Sequence, residues 1–255
     1  MFNNSFPLKV LFEPGEAFAE IAAGRTGWAW PSALYALSAG ASVLLFKLAP
    51  PEFVAESFEG LTLTRARGFF FYFAFSLAGG LLFTAFICSL ISALSRFLEG
   101  GRLSARIIAA GLAVGVFGIT AAAMHGAAGG ARAAGIAAGA AAVLFSGWAA
   151  FSGRQLFPRM LKGMLAVSAL SLAASLPAGA AVLAGSVKVY TGVEYLFSIL
   201  SLYWLAKAVS AVYGASKARA AAATVLALFG GLAFLFLVFN LGLLPPDIFE
   251  ALLLV

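Results

Sequence analysis

Long apolar stretches bounded by single charged residues set the pattern of this chain. A helix rises about 1.5 Å per residue, so roughly 20 apolar residues cover about 30 Å of hydrocarbon. Six uncharged runs long enough for that lie between Arg25 and Lys47, Arg67 and Arg96, Arg106 and Arg132, Arg132 and Arg154, Lys162 and Lys188, and Arg219 and Asp247. A seventh, from about Tyr195 to Tyr213, is interrupted by Lys207, which would cost roughly 2.5 to 3.5 kcal/mol at a helix centre. Lys207 stands nearer one end of that run, where its stem can carry the ammonium to the headgroups. The runs are continuous, without the two-residue alternation of barrel strands, and rich in Ala and Leu, so they are expected to be helices. The fold class expected is all-α: a polytopic transmembrane helical bundle of about seven spans.

Composition sharpens this picture. The chain is 63% apolar and 10% charged over 255 residues, with a mean hydropathy of +1.02, whereas soluble domains carry about 25% charged residues. No polar stretch is long enough to wrap a second core, which leaves a short lead-in over residues 1–27 and one membrane domain over 28–255. The N-terminal residues Met1 to Lys9 are too polar for a signal-peptide core. A net charge of +6 would suit nucleic acid only if the basic residues gathered on one face with stacking aromatics. Here they are scattered singly, so no nucleic-acid partner is expected; the lipid bilayer is.

Orientation follows from which side of seven spans holds the Lys and Arg residues. Lys9, Arg25, Arg96, Arg102, Arg106, Arg154, Arg159, Lys162, Lys207, Lys217 and Arg219 fall on one side, and Lys47, Arg65, Arg67, Arg132 and Lys188 on the other. The richer side is expected in the cytoplasm, which puts the N-terminus inside and the C-terminus outside. Trp28, Trp30, Trp148 and Trp204 all sit toward that same side, as interfacial tryptophans should. Three basic turns, Arg96 to Arg106, Arg154 to Lys162 and Lys207 to Arg219, make Arg96, Arg102, Arg106, Arg154, Arg159, Lys162, Lys217 and Arg219 the candidate contacts to anionic lipid or a protein partner.

Shorter patterns add detail. Pro14 to Ala22 puts Phe18, Ile21 and Ala22 opposite Glu16 and Glu20, as in a helix lying in the interface. Pro50-Pro51-Glu52-Phe53-Val54 and Pro245-Pro246-Asp247-Ile248-Phe249 each place proline and then an acid where a helix can start. Glu52, Glu56 and Glu59 would share a solvated face. Gly111 with Gly115, and Gly135 with Gly139, are spaced for close helix packing. The span from Ala133 to Phe151 is so rich in Ala and Gly that a buried packing helix is expected there.

Reactive groups do not gather. His125 is the sole histidine and Cys88 the sole cysteine, which rules out an internal disulfide and leaves no metal-ligand set or Ser-His-Asp arrangement to read. HExxH, GxSxG and P-loop spacings are absent. An enzyme is not expected, nor a cofactor. For intramembrane charges, the usual mark of transport, Lys207 and Glu194 are the sole candidates, and both fit interface positions. Ser168, Ser171 and Ser175 form one polar helical stripe, and Ser89 and Ser92 another.

Leu11-Phe12-Glu13-Pro14-Gly15-Glu16-Ala17-Phe18 followed by Trp28-Ala29-Trp30-Pro31 resembles the opening of the Yip domain family, the Ypt/Rab-interacting polytopic membrane proteins. Gly100-Gly101 after the second span is similar to that family's glycine turn, and Leu196 to Trp204 with Tyr213 to Ala220 to its last helical pair. The resemblance covers about half the chain. It implies a bacterial-type member, with five spans rather than the seven counted here, an N-terminus in the cytoplasm and a C-terminus across the membrane; residues from about Ala133 to Ala184 would be an added hairpin. It further implies a non-catalytic scaffold or adaptor of a bacterial cytoplasmic membrane. The alternative from the residues alone is a small-solute transporter or channel subunit working through the serine stripes and Lys207. A polar cavity reaching the middle of the membrane would favour transport, and a tightly packed interior the scaffold.

Overall fold

The computed structural model describes residues 6–57 and 65–253, apart from a few side chains in the short helix before the gap. Among them the secondary structure is helical throughout. Seven helices are long and apolar enough to span a membrane: α3 (Ala29–Leu48), α5 (Phe69–Glu99), α6 (Leu103–Ala123), α7 (Gly129–Ser152), α8 (Phe157–Leu183), α9 (Val187–Tyr213) and α10 (Lys217–Asn240). Four short helices flank them: α1 (Phe6–Phe12), α2 (Pro14–Ala22), α4 (Pro51–Ser57) and α11 (Pro246–Leu253).

Boundaries follow local chemistry. Pro14, Pro51 and Pro246 each open a short helix, where a missing N–H costs nothing and φ is already set. Both proline-acid segments singled out in the sequence therefore form helices. Of the acidic stripe, Glu59 and the side chain of Glu52 lie outside the described residues. Helix α9 ends at Gly214, whose φ of 64° is the left-handed cap that glycine adopts without a Cβ penalty. The seventh span is longer than the sequence suggested, because it begins at Val187 and takes in Lys188 and Glu194 as well as Lys207.

The bundle has two faces. The N-terminal face carries α1, α2 and the turns near residues 100, 154 and 215. Arg159 Nη1 reaches the Ala22 carbonyl at 2.7 Å and Lys162 Nζ the Thr26 carbonyl at 2.7 Å, while Arg96 Nη2 reaches the Ala149 carbonyl at 2.9 Å. The C-terminal face carries α4, α11 and the α6–α7 and α8–α9 turns. Helix α2 buries Ala17, Phe18 and Ile21, the apolar face its periodicity forecast, and the surface it covers is formed by α8 and α9. A 2.6 Å ion pair between Lys9 and Glu20 ties α1 to it.

Helices α8 and α9 pack along each other, α8 also on α3, and α5 and α10 on each other. Helices α6 and α7 are peripheral. Ile108, Leu112, Val116 and Ile119 form an exposed stripe on α6 that suits lipid. The expectation that α7 would be a buried helix is overturned. It buries only Gly135, Gly139, Ser146 and Ala149 among its described residues, and Leu144, Trp148 and Phe151 are exposed. In a bilayer, small residues allow one stripe of a helix to approach its neighbour closely, without requiring the helix to be surrounded. Consecutive helices α7 and α8 pack on different neighbours, α7 on α5 and α10 and α8 mainly on α3 and α9.

Candidate functional site

The chain defines a polytopic helical membrane protein, and its interior is not uniformly filled. A cavity of about 650 Å³ lies among α3, α5, α8, α9 and α10, with side chains of α4 and α11 at its C-terminal end. Ligand sites fall in roughly the 300 to 1,000 Å³ range.

Helical periodicity builds two of its walls. On α9 the lining residues are Tyr190, Glu194, Phe197, Ser198, Ser201 and Leu205, spaced so that all face one way. On α8 they include Ser168, Ser171, Ser175, Ala178 and Val182, another single stripe. Ser42 of α3 and Thr84 of α5 face them. From Tyr190 to Leu205 the wall runs about 22 Å along the axis, past the middle of α9. Ser175 Oγ donates to its own helix at Leu172 O, 2.7 Å away. The hydroxyls of Ser168, Ser171, Ser198 and Ser201 make no hydrogen bond to other described residues and remain available to a guest.

Leu165, Ile87 and Leu205 form the floor. Below them the same helices close. Met160 of α8 and Ala208, Val209 and Val212 of α9 join Phe18 and Ile21 of α2 in one apolar cluster, and a Cβ added at Gly163 would sit 3.4 Å from Ala208.

A polar strap crosses the C-terminal face beside the mouth. Glu250 of α11 is 2% exposed and accepts from the Tyr72 hydroxyl at 2.7 Å and the Arg65 backbone N–H at 3.3 Å. Arg65 in turn donates to the carbonyls of Lys47 at 2.7 Å and Ala49 at 2.8 Å, so a cation meets the negative end of α3. Lys47 donates to the backbone of Arg65 and Arg67, and Ser76 Oγ to Ala251 O at 2.7 Å. At the mouth itself Phe53 and Tyr190 meet edge to face with centroids 5.2 Å apart.

The basic residues marked as contacts have divided roles. Arg96, Arg159 and Lys162 are committed to backbone carbonyls, and Lys162 also lies 4.9 Å above the Trp28 ring. Arg106 is bound to Phe97 O and stacks on its ring at 5.2 Å. Arg154 stacks on Phe151 at 5.6 Å. Arg102, Arg154 and Lys217 are exposed and Arg219 partly so. Among the glycines, Gly135 leaves no room for a Cβ, which would come 2.7 Å from Met124 Sδ and 2.9 Å from Leu241. Gly139 faces Leu237 at 3.7 Å and Gly111 faces Leu226 at 4.0 Å, while a Cβ at Gly115 would meet nothing.

The two serine stripes separate in kind. Ser89 bonds Ser146 of α7 and Ser92 bonds Tyr213 of α9, which are helix-to-helix ties. The α8 stripe lines the cavity. Lys207, grouped with that stripe from sequence, lies 4.8 Å over the Tyr203 ring and is not part of the lining. Glu194, read as an interfacial residue, is. His125 is exposed in the α6–α7 turn, and Cys88 is buried 3.5 Å from Met164 Sδ. Ser198 and Ser201 were missed, although their spacing from Glu194 at helical period was legible.

No protein-family model, curated protein or solved structure matches the chain.

Proposed function

We propose that this protein is a membrane-embedded binding and translocation protein for a small solute, with the serine-lined cavity as its site. The observation that supports this most is the run of unbonded hydroxyls on facing helices, extending past the middle of the membrane in an otherwise apolar bundle. Polar groups there are costly unless they meet one another, water or a ligand. The chemistry offered is recognition, not bond making, because hydroxyls and one carboxylate with no positioned base or nucleophile orient a guest. The bundle sits in a bacterial cytoplasmic membrane with its N-terminal face in the cytoplasm, on the strength of the basic turns.

The test is thiol accessibility. Ser171→Cys and Ser198→Cys are expected to react with a water-soluble thiosulfonate reagent, and Ser89→Cys to stay protected. Translocation further needs a state in which the closed end parts, so Val209→Cys, fully buried here, should react slowly. Protection of all four positions would overturn the reading.

A second reading is favoured by the exposed Arg102, Arg154 and Lys217 on one face: a Yip-like, non-catalytic scaffold whose basic turns touch anionic lipid or a protein. Its mark would be one stoichiometric partner recovered after in-membrane cross-linking and lost when those three residues are changed to Gln.

A further inference from the structure

Glu194 is the one acidic side chain lining the cavity, and it makes no ion pair or hydrogen bond with other described residues. It stands about 10 Å along the axis from the start of α9. The two lysines of α9, Lys188 and Lys207, lie six and thirteen positions away, and neither lines the cavity. The cations of the C-terminal face are used elsewhere: Lys47 and Arg65 are held on backbone carbonyls and Arg67 pairs with Asp247 at 2.7 Å. Glu194 is exposed within the open cavity; at membrane depth a carboxylate is held in its ionised form by a counter-charge, and no described cation stands beside it.

The rest of the cavity describes what would accompany that charge. One helical turn outward from Glu194 is the Tyr190 ring, paired with Phe53, and aromatic faces attract cations. Inward of Glu194 the wall continues with Phe197, Ser198 and Ser201, and the two serine hydroxyls can accept hydrogen bonds from an ammonium group. Beyond them Leu205, Leu165 and Ile87 form a purely apolar floor, about 16 Å along the axis from Glu194.

From this gradient we infer that the cavity takes an amphiphilic organic cation, its ammonium group on Glu194 near the C-terminal face and its apolar body directed to the floor. The inference rests on the reading of the cavity as a solute site and adds the charge and polarity of the guest. An amine-headed phospholipid and a free alkylammonium share this chemistry.

The test uses the full chain in phosphatidylcholine nanodiscs, with empty nanodiscs as background and radiolabelled hexylammonium as probe. Saturable binding is expected, weakened at least tenfold by Glu194→Gln, with 1-octanol bound equally by both proteins and hexyl sulfate by neither. Glu194→Asp keeps the charge and should retain most of the affinity, which separates loss of charge from misfolding. If added phosphatidylethanolamine displaces the probe, and native mass spectrometry finds that lipid on the wild type but not on Glu194→Gln, the guest is lipid. If the lipid does not compete, the guest is a free cation. Equal cation binding by wild type and Glu194→Gln, or equal binding of hexyl sulfate, overturns the inference while octanol binding keeps the cavity reading alive. Absence of both cation and octanol binding would sink both.

Discussion

Helices α8 and α9 pack into a filled interior toward the N-terminal face and line a cavity toward the other, and the difference lies in which small residues face inward. Toward the N-terminal face, Gly163 meets Ala208 and the neighbouring positions are Ala and Val, so the backbones approach closely and gain dispersion contacts that lipid does not provide for free. Toward the C-terminal face the inward positions are Ser168, Ser171, Ser198 and Ser201 with Glu194. Those groups cannot be sealed against one another without partners, and they line the cavity that α8 and α9 share with α3, α5 and α10. Size alone does not decide packing, since Ser and Ala are nearly equal in volume. What decides it is whether the small residue carries a group that must be hydrated or bonded.

The largest effect should come from spoiling the closed end. Gly163→Leu drives a branched side chain into Ala208, and overpacking of a filled interface costs about 1 to 3 kcal/mol; Ser171→Leu projects into empty space and should leave unfolding within about 0.5 kcal/mol of wild type. Denaturant unfolding in mixed micelles followed by circular dichroism would measure both. Equal losses would mean that the two ends are packed alike.

The next effect concerns what holds the open end together. Beside the cavity mouth the strap through Glu250 joins α11 to α5, and Glu250→Leu leaves the buried Tyr72 hydroxyl without its acceptor. Such an orphaned group costs about 1 to 3 kcal/mol. Part of that cost should be local, so hydrogen exchange should quicken in α11 and at the start of α5 before it does in α8. Tyr72→Phe takes away the donor but leaves the carboxylate the Arg65 backbone N–H, and should be milder. A smaller loss for Glu250→Leu than for Tyr72→Phe would show that the carboxylate is not what binds α11 down.

Much of the architecture was legible because a bilayer constrains sequence more severely than water does. Six of the seven spans follow an uninterrupted apolar run, so Arg67, Arg96, Arg132 and Arg154 mark the chain at nearly the right places, while α9 carries Lys188, Glu194 and Lys207. The basic turns then fell on one face, as alternation through seven spans requires. Side-to-side arrangement was not legible. Lipid accepts apolar residues on any face, so nothing in the composition of α7 distinguished a central helix from a peripheral one. The cavity was half legible. Ser168, Ser171 and Ser175 were visible as a stripe, but Ser89 and Ser92 looked the same, and only the opposing helix decides which stripe is bonded and which is bare. Glu194 was masked by its distance from the helix end, because the same position suits an interface or the mouth of a cavity.

The smallest expected effect tests the floor between the two ends. Lys207 lies two positions beyond Leu205 on α9, on the closed side, and its ammonium rests 4.8 Å over Tyr203 with the stem free to reach the headgroups. It is separated from the hydroxyl wall by the floor residues Leu205 and Leu165. Lys207→Met should therefore leave thiosulfonate labelling of Ser171→Cys and hexylammonium binding unchanged, and stability shifted by about 1 kcal/mol for a lost cation–π contact at a half-exposed site. A transporter that carried charge along the whole of α9 would behave differently, since Lys207 would then be the next station after Glu194 and its removal would alter access from the N-terminal face. An increase in labelling of Val209→Cys in the Lys207→Met background would show that the floor opens and that the closed half of the pair is a gate, not a permanent seal.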